Sequence, residues 1–153
     1  MHQLTHRKAT LNDLRTIVSL LMEDKLGSTR ETLSNELDQS YIDAFHKIDS
    51  DPNQYLMAIE IDVEIVGTCH LTIMPSLTFK GQTRMQIEAV RIAESCRGQH
   101  IGHQMMEYAI EYAKSKGATI IQLSTNKERL EAKKFYESIG FQATHEGMKL
   151  YLD

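Results

Sequence analysis

Cysteine is scarce in this chain. Cys69 and Cys96 lie far apart in no metal-binding or redox spacing, the pattern of reduced cytoplasmic thiols rather than of a disulfide scaffold. Proline occurs only at Pro52 and Pro75, and both read as punctuation between elements. No apolar run approaches the length of a membrane span, and no repeat, low-complexity tract or linker interrupts the chain. The opening Met1-His2-Gln3-Leu4-Thr5-His6 lacks the apolar core of a secretory signal. Nor is there a surplus of positive charge: 17 Lys and Arg against 21 Asp and Glu leave a net charge of −4, which disfavours generic binding to nucleic acid. What remains is 153 residues, 41% hydrophobic, expected as a cytoplasmic single domain spanning 1–153 with one continuous core.

Periodicity sets out the elements. A first strand is expected around Leu4 to Lys8. Thr10-Leu11-Asn12-Asp13 reads as a helix start, and Leu14, Ile17, Val18 and Leu21 share a helical face that ends near Gly27. A second helix after Ser28 carries Leu33, Leu37, Tyr41, Phe45 and Ile48 at spacings of three or four. Tyr55 to Ile61 and Ile65 to Ile73 read as strands across a hairpin joint at Asp62-Val63-Glu64, followed by a strand from Met85 to Ile92. A helix from Ile101 buries Met105, Met106, Ala109, Ile110 and Ala113 and stops at Gly117. Ala118 to Thr125 is a short strand and Glu128 to Ile139 a helix ended by Gly140. Phe141 to Leu152 is expected to hold two last short strands. The order βααβββαβαββ predicts an α/β sheet with helices on both faces.

The chemistry concentrates between Val90 and His103. There an apolar β-branched run meets the turn Ser95-Cys96-Arg97-Gly98-Gln99-His100, which opens onto the helix at Ile101-Gly102. A helix start offers unpaired N–H groups and a positive dipole end. Gly98 and Gly102 let a bulky anion approach the main chain, and Arg97 adds a bidentate positive charge. The joint reads as a phosphate or pyrophosphate cradle. It is neither a Walker loop, which needs Lys-Ser/Thr after its last glycine, nor a dinucleotide fingerprint, which needs three glycines in register.

Arg97, Gly98, Ile101 and Gly102 resemble the Arg-x-x-Gly-x-Gly/Ala loop of the GNAT acyltransferases, with His100 in place of that pattern's first glycine. Downstream, Ala132, Tyr136, Gly140 and Phe141 stand in the register of that family's Ala-x-x-x-Tyr-(three residues)-Gly-Phe. The run Ser124-Thr125-Asn126-x-x-Arg129-x-x-Ala132 is similar to that of small bacterial members, among them the aminoalkylphosphonate acetyltransferases. The resemblance implies the GNAT fold, a mixed central sheet in which strands 4 and 5 splay apart to admit pantetheine. It implies acetyl-CoA as co-substrate, with no metal, and assigns it to Val90, Arg91 and Ile92, to the turn Arg97, Gly98, Gln99, His100, Ile101, Gly102 and His103, and to Asn126, Arg129 and Lys133. Asn126 also reads as a helix cap.

Two residues stand out for catalysis. The resemblance puts Tyr136 beside the coenzyme sulfur as general acid, the alternative being a core anchor for its helix. Glu88, an ionisable group in Met85-Gln86-Ile87-Glu88-Ala89-Val90, is the candidate base; alternation gives it a face shared with Gln86 and Val90, and burial would make it more basic. The alternative is a half-exposed Glu88 paired with an arginine such as Arg91. His145, between the last two expected strands, is a competing base at the acceptor site. His100 and His103 lack a third ligand, which argues against a metal. The expected activity is transfer of acetyl from acetyl-CoA to the primary amine of a small molecule by direct attack in a ternary complex. Two other readings stay open: a non-catalytic acyl-CoA-binding domain, and an acetyltransferase acting on protein or tRNA-linked amines. No nucleic acid or membrane is an expected partner, and a homodimer is an open assembly.

Overall fold

The computed structural model describes residues 3–153, so Met1 and His2 of the opening stretch lie outside the described residues. It divides into two compact units, 1–122 and 123–153. The first holds β1 (Leu4–Lys8), α1 (Leu14–Met22), α2 (Lys25–Arg30), α3 (Gln39–Asp49), β2 (Gln54–Ile61), β3 (Glu64–Met74), the distorted single turn α4 (Thr78–Gly81), β4 (Thr83–Ile92), α5 (Ile101–Ser115) and most of β5 (Ala118–Leu123). The second holds one helix, α6 (Leu130–Ile139). Among the described residues no helix is long and apolar enough to cross a membrane.

Five strands form one sheet in the order β1-β2-β3-β4-β5, antiparallel from β1 through β4. Side chains bridge β5 to β4 and its approach at two levels, Thr119 to Gln82 (2.9 Å) and Gln122 to Gln86 (2.9 Å). Both numbers rise together, so β5 runs parallel to β4. Gln122 near the end of β5 is level with Gln86, and β4 runs on to Ile92. Asp62 and Val63 both take positive φ (50° and 61°), the two-residue turn whose twist suits a β2–β3 hairpin.

Strand alternation gives the sheet two unlike faces. Met57, Cys69, Leu71 and Met85 are 0% exposed on the face that carries α5, whose Met105, Met106 and Ala109 are equally buried. On the other face Leu56 and Ala58 join Ala9, Leu14, Ile17, Val18 and Phe45 in a second cluster under α1 and α3. This arrangement is what the helical and strand periodicities predict.

Three expectations differ. The first helix does not run on to Gly27: α1 stops at Met22, and Asp24 caps α2 by accepting from the Gly27 N–H (2.5 Å). A Cβ at Gly27 would stand 1.7 Å from the Leu21 carbonyl oxygen, so only glycine lets the chain fold back so tightly. The second helix begins at Gln39, because Asp38 accepts from Ser40 N–H as its cap (2.9 Å); Leu33 and Leu37 still pack on the α1–α3 cluster, from irregular backbone. Residues 141–153 contain no strand, and Met148, Leu150, Tyr151 and Leu152 are 83–92% exposed. Their alternation suits a strand, but a strand needs a ladder, and the second unit's only helix offers none.

One ion-pair knot ties β1 to the helical layer. Arg7 donates to Asp13 (2.6 and 2.9 Å) and to Glu60 (2.7 Å), while Asp13 also accepts from Thr10 N–H (2.7 Å). The Arg7 guanidinium holds the Asp13 carboxyl down, from an ordinary 3.8 to about 2. A carboxyl whose folded pKa is depressed adds stability above its unfolded pKa and loses it as pH falls through the folded one. Asp13→Asn is therefore expected to lower stability at neutral pH by about 1–2 kcal/mol, after discount for the partly exposed arginine. Urea titrations of both proteins should show that difference shrinking from about pH 4 towards pH 2; a difference independent of pH would show the pair is not its source.

Candidate active site

The central irregularity of the sheet lies between β3 and β4. Thr68 pairs with Arg91 and His70 with Glu88, so Cys69 alone faces Ala89 and Val90. Ala89 carries the extra residue at φ 53°, a left-handed conformation in mid-strand. The bulge corrects the expected alternation. Glu88 shares its face with Gln86 and Arg84, and beyond the bulge it is Arg91, not Val90, that returns to that face. The expected burial of Glu88 is also overturned, since its side chain is 55% exposed. Arg91 does not pair with it but points to Asp24 (3.8 Å).

The partner of Glu88 is His70, which sequence reasoning missed. His70 Nδ1 lies 3.7 Å from Glu88 Oε1, and Nε2 lies 2.5 Å from Gln54 Oε1. An amide oxygen only accepts, and this one also takes the Thr72 hydroxyl proton (3.1 Å), so Nε2 carries the ring hydrogen. That tautomer leaves the Nδ1 lone pair facing a carboxylate. Two acceptors turned towards each other suit a shared proton or a donor cation between them. Burial pushes the His70 pKa below its usual value, and the nearby Glu88 charge opposes that shift. Its legible signal was a lone imidazole in the apolar run Val66–Ile73, but only strand register sets it opposite Glu88.

The turn after β4 has the form expected of an anion cradle. Gly98 takes φ 81°, and a Cβ there would meet nothing within 4 Å, so the main chain lies open. His100 is left-handed too (φ 61°, ψ 14°) and stands at the N-terminal boundary of α5, a strained conformation for a non-glycine residue that costs about 1–2 kcal/mol. The first helical bond is donated by Gln104 to the His100 carbonyl (3.2 Å), so the Ile101 and Gly102 amides come before it. Arg97 is exposed, with its Nε 3.4 Å from the Ile92 carbonyl oxygen. These residues fit a pyrophosphate: open backbone, early amides and a positive side chain from one turn. Cys96 is half-buried beside it, whereas burial pushes the Cys69 thiol up to about 12, out of nucleophilic range.

In the second unit Tyr136 is half-buried on α6, edge-on to Phe135 (5.3 Å between centroids) and Phe141 (5.8 Å). Gly140 ends that helix at φ 118°. Asn126 accepts from Glu128 N–H (2.9 Å), which makes it the cap of the turn leading to α6 rather than of the helix itself. Arg129 is half-buried at the helix boundary and Lys133 is exposed. His145 is exposed with its Nδ1 2.7 Å from the Thr144 hydroxyl, on irregular backbone rather than between two strands.

The family model described as Acetyltransferase (GNAT) family matches residues 15–141. The chain belongs to the GNAT acetyltransferase family. This acetyltransferase is 31% identical over 140 residues to the aminoalkylphosphonate N-acetyltransferase of Salmonella typhimurium, covering 91% of this chain and 85% of that one. It is 34% identical over 88 residues to the glucosamine 6-phosphate N-acetyltransferase of Trypanosoma brucei brucei, covering 58% of each. Among solved structures it superposes with TM-score 0.95 and 43% identity on one described as a transcriptional regulator from Bacillus halodurans C-125, over 98% of this chain and 100% of that one. Membership of the family makes the protein an acetyl-CoA-dependent acetyltransferase.

The electrostatics of the His70–Glu88 pair are directly measurable. The groups facing the imidazole are Gln54 from β2, Thr72 on its own strand and Glu88 from β4. Removing the Glu88 charge removes the influence that favours imidazolium, so Glu88→Gln should move the His70 titration further down in pH. NMR titration of the imidazole checks this. An unchanged midpoint would show that the two groups do not interact.

Proposed function

We propose that this GNAT enzyme acetylates the primary amine of a small molecule by direct attack in a ternary complex. The observation that carries the reading is the pair of converging acceptors, His70 Nδ1 and Glu88 Oε1, 3.7 Å apart on one sheet face. An amine arrives mostly as ammonium, a cation with three donors, which two such acceptors would bind and deprotonate. The relatives named above act, by their names, on an aminoalkylphosphonate and on glucosamine 6-phosphate, both small amines.

When bound, acetyl-CoA supplies an acetyl thioester open to attack by an amine. The amides of Ile101 and Gly102, the open backbone at Gly98 and the Arg97 guanidinium would hold its pyrophosphate, with Gln99, His100 and His103 completing the turn. Val90, Arg91 and Ile92 are assigned to the pantetheine arm, and Asn126, Arg129 and Lys133 to further coenzyme contacts. Glu88 and His70 take the proton that the ammonium must lose. Tyr136, identified by its register after Ala132, returns a proton to the departing sulfur. Among the described residues the side chain of His145 hydrogen-bonds only with the neighbouring Thr144 hydroxyl, which gives a base role less support than the His70–Glu88 pair has.

Four substitutions test three separate parts of this reading. Acetyl-CoA should raise the melting temperature of the wild type, since a ligand that binds only the folded state stabilises it. The shift should be largely lost in Gly102→Glu, where a carboxylate enters the cradle; an equal shift in calorimetry would move the coenzyme elsewhere. Tyr136→Phe should keep the melting shift while kcat falls by roughly 10²–10⁴-fold. Wild-type turnover in that variant would remove Tyr136 from the mechanism. Glu88→Gln should lower kcat/KM and move its acidic limb to lower pH, as the remaining acceptor His70 titrates further down; a limb unmoved there but lost in His145→Gln would make His145 the base.

A further inference from the structure

His70 can serve the site in only one of its two neutral forms. With its hydrogen on Nε2, the Nδ1 lone pair faces Glu88 and can take a proton from an ammonium. With the hydrogen on Nδ1, the ring becomes a donor to that carboxylate and accepts nothing there. Left to itself the Glu88 charge favours the second form, because a carboxylate draws an N–H towards it. The useful form therefore needs a stronger hold on the other nitrogen.

Strand register supplies that hold. Leu56 of β2 stands opposite His70, and Gln54, two residues earlier on the same side of β2, stands opposite Thr72. Gln54 is thus diagonally across from the imidazole, within reach of a long side chain. Its Oε1 lies 2.5 Å from His70 Nε2, inside hydrogen-bond range, whereas Glu88 Oε1 at 3.7 Å from Nδ1 is outside it. The Thr72 hydroxyl donates into the same amide oxygen (3.1 Å), which keeps that oxygen, and not the amide nitrogen, turned towards the ring. The imidazole is mostly buried, at 16% exposed, so water is a poor substitute for this acceptor. The charged group facing the ring is Glu88 from β4; Gln54 from β2 and Thr72 on β3 are neutral.

We propose that Gln54, braced by Thr72, is a positioning residue that fixes His70 as the Nε2–H tautomer and so keeps Nδ1 available as a proton acceptor. This rests on the acetyltransferase reading above and adds to it a residue that acts through His70. On proton transfer one ammonium N–H bond breaks, its electron pair stays on the amine nitrogen, and the proton bonds to Nδ1. The imidazolium then has both hydrogens directed, Nε2–H to Gln54 and Nδ1–H towards Glu88.

The first test reads the tautomer directly. Long-range proton–nitrogen NMR of the whole protein, with the His70 signal identified by its loss in His70→Gln, should show Nε2–H in wild type above the imidazole titration. In Gln54→Leu, which fills similar space without an acceptor, the hydrogen should shift towards Nδ1. Kinetics then use acetyl-CoA with ethanolamine, 2-aminoethylphosphonate and glucosamine 6-phosphate, and follow the fastest acceptor. Gln54→Leu should lose about 10–100-fold in kcat/KM, the worth of one hydrogen bond to a charged group, while keeping the wild-type melting shift with acetyl-CoA. Gln54→Glu keeps an acceptor and adds a negative charge. It should retain the Nε2–H form, recover most of the lost rate at high pH, and move the acidic limb of kcat/KM to higher pH, because two carboxylates hold the imidazolium proton longer. A wild-type Nδ1–H tautomer, or an Nε2–H form that persists in Gln54→Leu, overturns the proposal. Wild-type kcat/KM in a Gln54→Leu whose tautomer has changed overturns it as well. If Gln54→Leu does not fold, Gln54→Glu decides, and an acidic limb that stays in place there overturns it. If no amine is acetylated, the acetyltransferase reading fails separately, and the tautomers of wild type and Gln54→Leu decide the role of Gln54 alone.

Discussion

The bulge at Ala89 is the constraint on which the site depends. Cys69 is fully buried between two neighbours of β3 that pair in register, and two residues of β4 must share the space opposite it. Placing an alanine at φ 53° costs about 1 kcal/mol, and the sheet recovers its pairing on either side. Without the bulge, Arg91 would leave the face of Glu88 and Val90 would take its place. With it, Glu88, Arg91, Gln86 and Arg84 all lie on the face that α5 does not cover. A local strain on one residue thus sets which charges meet.

The two faces of the sheet divide the work. The α5 face is filled by Met57, Leu71, Met85, Ile87 and Met105, all but excluded from water, and provides the rigidity. The opposite face is apolar only under α1 and α3. Past Leu56 and Ala58 it becomes a row of polar side chains: Gln54, His70, Thr72, Gln86, Glu88, Arg84 and Gln122. These are tied together by hydrogen bonds such as His70 to Gln54 and Gln122 to Gln86. Side chains held on strands and braced by one another keep their geometry better than groups on loops. A chemical face built on a packed one is what precise proton transfer needs.

Much of this was legible in the sequence. The strands from Tyr55, Ile65 and Met85, the long helix from Ile101 and the open turn at Arg97–Gly102 follow from periodicity and from the placement of two glycines. Four things were not. The break at Gly27 depends on the Leu21 carbonyl lying where a Cβ would be, a contact across a turn that no local pattern encodes. The period-2 alternation of Met148, Leu150 and Leu152 is compatible with a strand, but pairing requires a neighbour, and the alternation does not supply one. His70 gains its meaning from strand register, which brings positions 70 and 88 side by side. Simple alternation also failed at Glu88, because a bulge cannot be seen in a run of six otherwise ordinary residues.

Charge accounting extends the argument from the fold to the choice of acceptor. The chain carries an excess of acids, and most of the acids near the helical layer already have local work. Asp24 and Asp38 cap helices, Glu31 accepts from the Tyr41 hydroxyl, and Asp43 accepts from Gln39. Local hydrogen bonds account for their placement, so their number alone does not mark a cation site. The exposed Glu88 carboxylate, 3.7 Å from the His70 ring, stands on β4 rather than among those caps, so any pull on an incoming ammonium would be local to that pair rather than spread over an acidic surface.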